Sequence, residues 1–402
     1  MNDAAPAPID ALRETVERLW PDAGSVEVTG RGSSPPAPGA VVELLAVPNA
    51  ATPRILVPSS GRAAAAAMQR YSAALRPREV VQRSLLGLAL SGGGTGILRD
   101  RIRISKPGDD HIVAVLEEML GQPVTVSLGI GTVRANRKPV LGVFDRAGSP
   151  LAFVKVGDSA VAAGHVRGEV DALEAVAGRT WTILQPPELL GHRRWRGMEV
   201  LVMSALRPRP WDRQAIWPAP LAAMQELSSA FAGGEPPLSE SPMWQRCEEI
   251  AAGLVVADAR DELQAAMSRV GAAVGDVAHP VGAWHGDFTP WNMARTGDRV
   301  LLWDWERFET GVPEGFDRMH YAVNATTRAM GTGVVAILEG LRRGAGSSAA
   351  WSTRETLVAA SYLVSLSCRY LAAAEDEGGD AIAPRARTVL TALSGLSEHL
   401  AV

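Results

Sequence analysis

Two side chains that could cooperate in phosphoryl transfer lie five residues apart in the segment 285–292, which reads HGDFTPWN. The carboxylate of Asp287 could orient an attacking hydroxyl group and accept its proton, and the amide oxygen of Asn292 could bind Mg²⁺. A second carboxylate, Asp304, ends the apolar run 301–303, where it could hold a metal ion that bridges phosphates. Each aspartate alone could be an ordinary turn residue, but the joint pattern favours a phosphoryl-transfer site.

The residues before position 122 predict a mixture of short helices and strands. Residues 9–19 have a helical pattern, and residues 30–39 are rich in Gly, Ser and Pro, which is typical of a loop. Two apolar runs, at residues 41–47 and 54–57, predict strands. The other periodic stretches are helical and lie near residues 68–75, 81–88 and 111–120.

From residue 124 the pattern changes to short apolar runs separated by turns, which predict a five-stranded sheet. The predicted strands are residues 124–130, 139–144, 151–156, 182–184 and 198–203. A helix with Val166, Val170 and Leu173 at helical spacing follows the third strand. Beyond residue 206 the pattern is mainly helical, so the sequence predicts an α+β protein.

Residues 285–292, followed by Asp304, Glu306 and Asp317, resemble the aminoglycoside phosphotransferase and choline kinase superfamily, over roughly residues 122–400. The resemblance implies a two-lobed, protein-kinase-like fold that binds ATP and Mg²⁺ between a five-stranded antiparallel N-lobe and a mainly helical C-lobe. The domain boundaries that follow are an N-terminal α/β cap at residues 1–121, the N-lobe at residues 122–206, and the C-lobe with the acceptor site at residues 207–402.

The resemblance assigns an ion pair to the N-lobe. Lys155 matches the lysine that contacts the α- and β-phosphates, a task that suits a point-charge ammonium. Glu169, on the helix that follows, matches the glutamate that pairs with this lysine, and Glu174 is the alternative. Only three of the 40 basic residues are lysines, the others being Lys106 and Lys138, so each lysine is a candidate for a role that arginine cannot fill.

The resemblance also implies contacts with the rest of the nucleotide. The turn after the first strand of the five-stranded sheet carries Gly129 and Gly131, where backbone amides could approach a phosphate. Arg134 stands where a full G-x-G-x-x-G loop has its third glycine, so this loop departs from the full pattern. Met203 and Ala205, at the end of the fifth strand, would form the hinge whose backbone meets the adenine edge.

Composition excludes several other classes of protein. The net charge of −4 and the absence of a basic run argue against nucleic-acid binding. The two cysteines, Cys247 and Cys368, are too few for a disulfide framework and fit a reducing cytoplasm. Residues 1–10 lack the features of a signal peptide, and apolar runs such as residues 85–90 are shorter than the about 20 residues that span a membrane. We therefore expect a cytoplasmic protein without membrane contacts.

The residues around the loop favour a small acceptor. Gly286 stands where protein kinases have an arginine, and only a short loop separates Asp304 from Asp317. The long N-terminal region is architecturally similar to that of the maltokinase-like branch, which favours a hydroxyl of a sugar, amino sugar or amino alcohol. The candidate polar contacts of this acceptor are His320, Tyr321 and Asn324. An antibiotic kinase of the aminoglycoside type and a nucleotide-binding pseudokinase or scaffold are the alternatives.

Overall fold

Strands with alternating apolar residues dominate the first half of the chain, and helices dominate the second. The structure, a computed structural model, describes residues 8–29, 41–70, 72–129, 138–208, 220–346, 351–376 and 378–400. These residues belong to two compact units. Unit 1 contains Met1–Ala177 and Pro187–Ala215, and unit 2 contains Gly178–Pro186 and Ile216–Val402.

Unit 1 is built on one nine-stranded antiparallel sheet. The strands up to residue 157 are β1 (Ser25–Thr29), β2 (Val41–Val47), β3 (Ile55–Pro58), β4 (Arg101–Ser105), β5 (Thr125–Gly129), β6 (Val140–Phe144) and β7 (Pro150–Gly157). Then follow β8 (Leu184–Gln185), which lies in unit 2, and β9 (Leu189–Trp195) and β10 (Met198–Ser204). Across the sheet the order is β1-β4-β2-β3-β5-β6-β7-β10-β9.

Two apolar cores cover the two faces of this sheet. The helices of unit 1 are α1 (Pro8–Leu19), α2 (Gly61–Met68), α3 (Pro77–Ser91), α4 (Ile112–Leu120) and α5 (Ala160–Val176). Leu44 and Leu56 pack in a core with α1 and α4, whereas Leu45 and Val57 pack in a second core with α2 and α3. Successive strand residues therefore enter opposite cores, as the two-residue period of a strand requires.

The sheet has nine strands where the sequence predicts five, because β1–β4 of the first 121 residues join it. The prediction that residues 182–184 form a strand of this sheet was wrong. The strand found there, β8, pairs in parallel with a strand of unit 2. The edge position beside β10 is occupied by β9. Most residues of β9 are polar or exposed, so it lacks the apolar alternation by which a strand is predicted from sequence. The boundary at residue 121 stays a prediction, although strands before and after it share one sheet.

Unit 2 is mainly helical and contains two small sheets. Its other strands are β11 (Val281–Trp284), β12 (Met293–Thr296), β13 (Arg299–Leu302) and β14 (Glu309–Pro313). Its helices are α6 (Leu221–Ala230), α7 (Pro242–Gly253), α8 (Ala257–Val274), α9 (Phe316–Met330), α10 (Val334–Ala345), α11 (Thr353–Glu375) and α12 (Ala383–Leu400). β11 pairs with β14, and β13 lies between β12 and β8.

The long helix α11 runs through the core of unit 2. It begins at a capping box in which the Ser352 hydroxyl accepts a hydrogen bond from the Glu355 N–H, and the Glu355 carboxylate accepts one from the Ser352 N–H. By length and composition α11 is apolar enough to cross a membrane, but 72% of its most apolar stretch is buried inside the protein. Its apolar composition is therefore explained by core packing.

Candidate active site

A hairpin in unit 2 brings Asn292 and Asp304 to the same end. β12 begins directly after Asn292, β13 ends just before Trp303, and the two strands pair antiparallel. The Trp303 N–H donates a hydrogen bond to the Asn292 carbonyl at 3.0 Å, which places the neighbouring Asp304 beside it. Asp287 reaches the same place, because the Nδ2 of Asn292 donates to its Oδ2 at 2.8 Å. The three polar residues that the sequence singles out for phosphoryl transfer thus lie together.

The loop that carries Asp287 needs a glycine directly before it. Gly286 has φ of +78°, in the left-handed region that favours glycine. A Cβ at this position would also overlap the backbone carbonyl of Arg307, so packing excludes any larger residue. From α11, Arg369 donates from Nη1 to the Gly286 carbonyl at 2.8 Å. Its guanidinium lies 4.6 Å from the centre of the Trp284 ring, which fixes the arginine beneath the loop.

Asp317 and His285 fix the rest of the loop backbone. From the first turn of α9, the Asp317 carboxylate accepts hydrogen bonds from the N–H groups of His285, at 2.8 Å, and Gly286, at 3.2 Å. Burial raises the pKa of Asp317 to about 7, although both bonds favour its ionised form. The enclosed ring of His285 accepts at Nδ1 from the Asp287 N–H at 3.3 Å and packs edge-on against Trp305. His285 therefore supports the loop.

His320 is buried against Asp287, which differs from its predicted role as an acceptor contact. Its Nε2 lies 3.2 Å from Oδ1 of Asp287, and its Nδ1 lies 3.1 Å from the Tyr362 hydroxyl. Burial lowers the pKa of His320 below its ordinary value, so the ring is neutral at neutral pH and donates from Nε2. Burial alone would raise the pKa of Asp287, but the hydrogen bond from His320 and the electrostatic effects of His320 and His285 together outweigh it and hold that pKa below its ordinary value.

The donor set beside Asp287 suits a magnesium ion. Asn292 donates from Nδ2 to the Oδ2 and the backbone carbonyl of Asp287, at 2.8 and 3.1 Å, which turns its own Oδ1 away from that residue. The carboxylates of Asp304 and Glu306 have oxygens within 4.8 Å of one another. Asp304 adopts a φ of +72°, an uncommon conformation for a residue with a side chain. All three side chains offer oxygen, the ligand that Mg²⁺ prefers.

Unit 1 holds Lys155 and Glu169 as a buried ion pair. Lys155 Nζ on β7 lies 2.5 Å from Glu169 Oε2 on α5, and Glu169 is fully enclosed. The strand and helix approach closely here, because a Cβ on Gly157 would lie 2.7 Å from the Cα of Ala163. Glu174, the alternative partner, is exposed. Breaking a buried pair leaves an uncompensated charge, so each partner fixes the other.

The other predicted nucleotide contacts have less geometry to support them. Gly129 ends β5, and Gly131 lies outside the residues that the structure describes. Met203 is buried in β10. The Ala205 N–H donates to the Leu151 carbonyl at 3.1 Å and is therefore already bonded within unit 1. The nucleotide roles of these four residues stay predictions.

Sequence analysis missed three residues that contact or adjoin the site. Glu306 lies in the segment that resembles the superfamily, but the sequence analysis assigned it no role. Its position two residues after Asp304 was an available signal for a second metal-binding carboxylate. Tyr362 and Arg369 lie two helical turns apart on α11, far along the chain from the loop. An arginine on the apolar side of a helix was the available signal there, since a buried guanidinium needs an acceptor.

Comparisons with known proteins return matches among solved structures only: no family model matches the chain, and no curated protein matches it. A thermostable mutant of aminoglycoside phosphotransferase APH(4)-Ia, solved with ADP and hygromycin B, aligns at 12% identity and a TM-score of 0.49 over 71% of this chain and 98% of its own. A protein described as a fructosamine-3-kinase from Haemophilus somnus 129PT aligns at 14% identity and a TM-score of 0.39, over 69% and 96%. The amicoumacin kinase hAmiN, solved with AMP-PNP, Ca²⁺ and Ami, aligns at 12% identity and a TM-score of 0.40, over 67% and 88%.

Proposed function

We propose that the protein is a cytoplasmic kinase of the aminoglycoside phosphotransferase and choline kinase superfamily, which transfers the γ-phosphoryl group of ATP to a hydroxyl group of a small molecule. The observation that carries this proposal is the grouping of Asp287, Asn292 and Asp304 at one end of a hairpin. Asp317 and Arg369 bind the backbone of the loop from two different helices. A loop fixed in this way meets the positioning demand of phosphoryl transfer.

Asp287 is the group that would receive the acceptor hydroxyl. Its pKa lies below the ordinary value, so it is ionised at neutral pH and can accept a hydrogen bond from the hydroxyl. A bond then forms between the hydroxyl oxygen and the γ-phosphorus, and the bond from that phosphorus to the bridging oxygen breaks, so that ADP leaves. The acceptor proton passes to Asp287, whose orientation His320 and Asn292 hold through one hydrogen bond to each carboxylate oxygen.

The oxygens of Asn292, Asp304 and Glu306 would hold the metal ion. When bound, Mg²⁺ would neutralise the charge on the phosphates. Asn292 has a further task, because its Nδ2 keeps the Asp287 carboxylate in place while its Oδ1 faces the other way. Loss of this amide would therefore remove one metal ligand and also change the orientation of Asp287, the candidate proton acceptor.

Unit 1 would supply the nucleotide contacts. In this proposal the Lys155 ammonium binds the phosphates, and Glu169 fixes it through their 2.5 Å ion pair. Backbone groups of Gly129, Gly131, Met203 and Ala205 would serve the glycine loop and the hinge. The acceptor is proposed to be a sugar, amino sugar or amino alcohol, and an aminoglycoside-type antibiotic is the alternative. The intact polar set argues against a pseudokinase.

The test is an ATP-consumption screen with Mg²⁺ present, over sugars, aminoglycosides, choline-like amines and nucleosides. We expect turnover with one of these classes. Asp287→Asn should lower kcat by at least about 100-fold, because it removes the proton acceptor without removing volume. The matched control is Asp298→Asn, which makes the same chemical change at an exposed aspartate.

The outcomes separate the three candidate functions. Turnover that survives in Asp287→Asn at the level of Asp298→Asn would take Asp287 out of the mechanism. Tight ATP binding without turnover for any acceptor would favour the pseudokinase. Turnover confined to aminoglycosides would favour the antibiotic kinase.

A further inference from the structure

A polar cluster lies on the face of the nine-stranded sheet that carries Lys155. Ser127 on β5, Gly142 on β6 and Phe153 on β7 are register partners in one row across the sheet. Phe153 precedes Lys155 by two residues on the same strand, so both side chains lie on one face. The cluster and the proposed phosphate ligand therefore share a surface within unit 1.

Arg70, which follows α2, lies over this row. Its guanidinium carbon is 4.9 Å from the centre of the Phe153 ring, a stacking arrangement. A Cβ on Gly142 would lie 3.3 Å from the Nη2 of Arg70, and a Cβ on Gly129 would lie 3.0 Å from its Nη1. Glycines at these two positions leave room for the guanidinium on the sheet.

Three polar groups of this cluster have no hydrogen-bond partner in the part of the chain that the structure describes. Among the residues that the structure describes, Arg70 Nη2 and Ser127 Oγ are enclosed without a hydrogen bond. A Cβ on Gly142 would lie 2.8 Å from that Oγ and 3.3 Å from that Nη2, so the two groups lie close to each other above Gly142. The Thr125 hydroxyl, two residues earlier on β5, is likewise enclosed and unbonded. Unmade hydrogen bonds at enclosed groups cost free energy, which points to a ligand that supplies acceptors.

Arg70 also brings positive charge to the cluster. No carboxylate within the described ranges forms an ion pair with Arg70, and Arg83, which donates to the Arg70 carbonyl, adds a second cation. Burial, and then the charge of Arg83, lower the pKa of Arg70 to about 10. The residue nevertheless keeps partial exposure, through which a ligand can approach it.

We propose that Arg70 and Ser127 form a binding site for a phosphate group on the Lys155 face of the sheet. The guanidinium presents paired donors that match phosphate oxygens, and the serine hydroxyl adds another. Because Lys155 lies on the same face, we assign this phosphate to the nucleotide. That assignment rests on the proposed function, whereas anion binding itself does not.

The experiment is calorimetric titration of the full chain with inorganic pyrophosphate, ATP and adenosine. We expect Arg70→Gln to weaken the binding of pyrophosphate and ATP by about tenfold or more, and Ser127→Ala to weaken it several-fold, while adenosine binding is unchanged. The matched control is Arg78→Gln, at an exposed arginine of α3, which should leave all three affinities unchanged. Pyrophosphate should compete with ATP, and it should raise the Tm of the wild type but not of Arg70→Gln.

Each contrary result has a distinct meaning. Equal affinities of Arg70→Gln and Arg78→Gln for pyrophosphate would overturn the site. Loss of adenosine binding as large as the loss of ATP binding would show that Arg70 binds the adenine base and not a phosphate. Arg70-dependent pyrophosphate binding that ATP does not displace would support the anion site and overturn the nucleotide as its source.

If the wild type neither binds nor consumes ATP, the proposed function fails while the pyrophosphate result still decides the site. Should Arg70→Gln not fold, Arg70→Lys keeps the charge and should show an intermediate affinity.

Discussion

Asp287 is held by donors from two separate elements, and this sets both its position and its charge. Asn292 of the loop bonds one carboxylate oxygen, and His320 of α9 bonds the other. Behind His320, the Tyr362 hydroxyl lies 3.1 Å from Nδ1, so Nδ1 is the acceptor and the proton resides on Nε2. The properties of the candidate base thus depend on a histidine and a tyrosine that the loop sequence does not contain.

His320→Leu should lower kcat by about tenfold at neutral pH, because a hydrogen bond to a charged group is worth about 1.5–3 kcal/mol. The bond from His320 lowers the pKa of Asp287, and its loss should let burial raise that pKa. The acidic limb of the kcat–pH profile should therefore move to higher pH. KM for ATP should change little, since His320 contacts Asp287, the candidate proton acceptor.

The conservative variant His320→Gln provides the control for the histidine. Its amide can still donate to Asp287, so we expect the acidic limb to return towards the wild-type position. If both variants lose activity equally and the limb stays in place, His320 acts only by packing. A measured pH profile for each variant decides between the two explanations.

At the scale of elements, the first turn of α9 is coupled to the loop through Asp317. This buried carboxyl group has a pKa of about 7, so the folded protein binds one more proton than the unfolded chain between about pH 4 and pH 7. Its contribution to stability is therefore greatest at low pH and falls as pH rises to about 7, by up to about 1.4 kcal/mol per pH unit. Activity should change in the opposite sense, because the ionised carboxylate accepts both loop N–H bonds best.

Asp317→Asn tests this coupling in two ways. In urea unfolding between pH 4.5 and pH 8, the variant should lose the part of the pH slope that this carboxyl group produces, because an amide does not titrate. The variant should also have a lower kcat across the whole pH range, since the Nδ2 of the asparagine is a donor and would face a backbone N–H, which is also a donor. An unchanged pH slope of stability would show that Asp317 is ionised throughout this range. Asp298→Asn is again the exposed control.

The elements that sequence predicted best are those whose signal is local. Asp287 and Asn292 lie in one short loop, and Lys155 and Glu169 lie on a strand and the helix directly after it, so spacing and resemblance were sufficient to find the candidates. The resemblance favours Glu169 over Glu174 as the partner of Lys155, and the structure agrees, because Glu169 is buried in an ion pair with Lys155 whereas Glu174 is exposed.

The missed features depend on contacts between distant parts of the chain. From α11, Arg369 bonds the loop at Gly286 and Tyr362 contacts His320, and no local pattern encodes either contact. Strand β9 has polar residues on an edge and gains its conformation from pairing with β10. The joining of β1–β4 to the larger sheet likewise depends on the pairing of β3 with β5.

At the scale of the whole molecule, the first 121 residues share both a sheet and a core with the residues that follow. β3 pairs with β5 through Ile55 with Gly129 and Leu56 with Leu128. The core on one face combines residues from both sides of the boundary, among them Leu56 and Ile112 with Leu128 and Leu141. A separate cap would have its own core, so this arrangement favours one folding unit.

Insertion of a protease site after Gly121 in the full chain tests this integration. Gly121 is exposed, has φ of +66° and has open space around it, so the insertion should be tolerated there. After cleavage, the two fragments should remain associated during gel filtration, because separation would expose β5 as an edge together with the shared core. Burial of each leucine-sized side chain is worth about 1.5–3 kcal/mol, so the loss of a few such contacts rivals the about 5–15 kcal/mol by which a typical domain is stable. For the same reason, residues 122–402 expressed alone should aggregate. Fragments that separate and each unfold cooperatively would instead identify residues 1–121 as an independent cap.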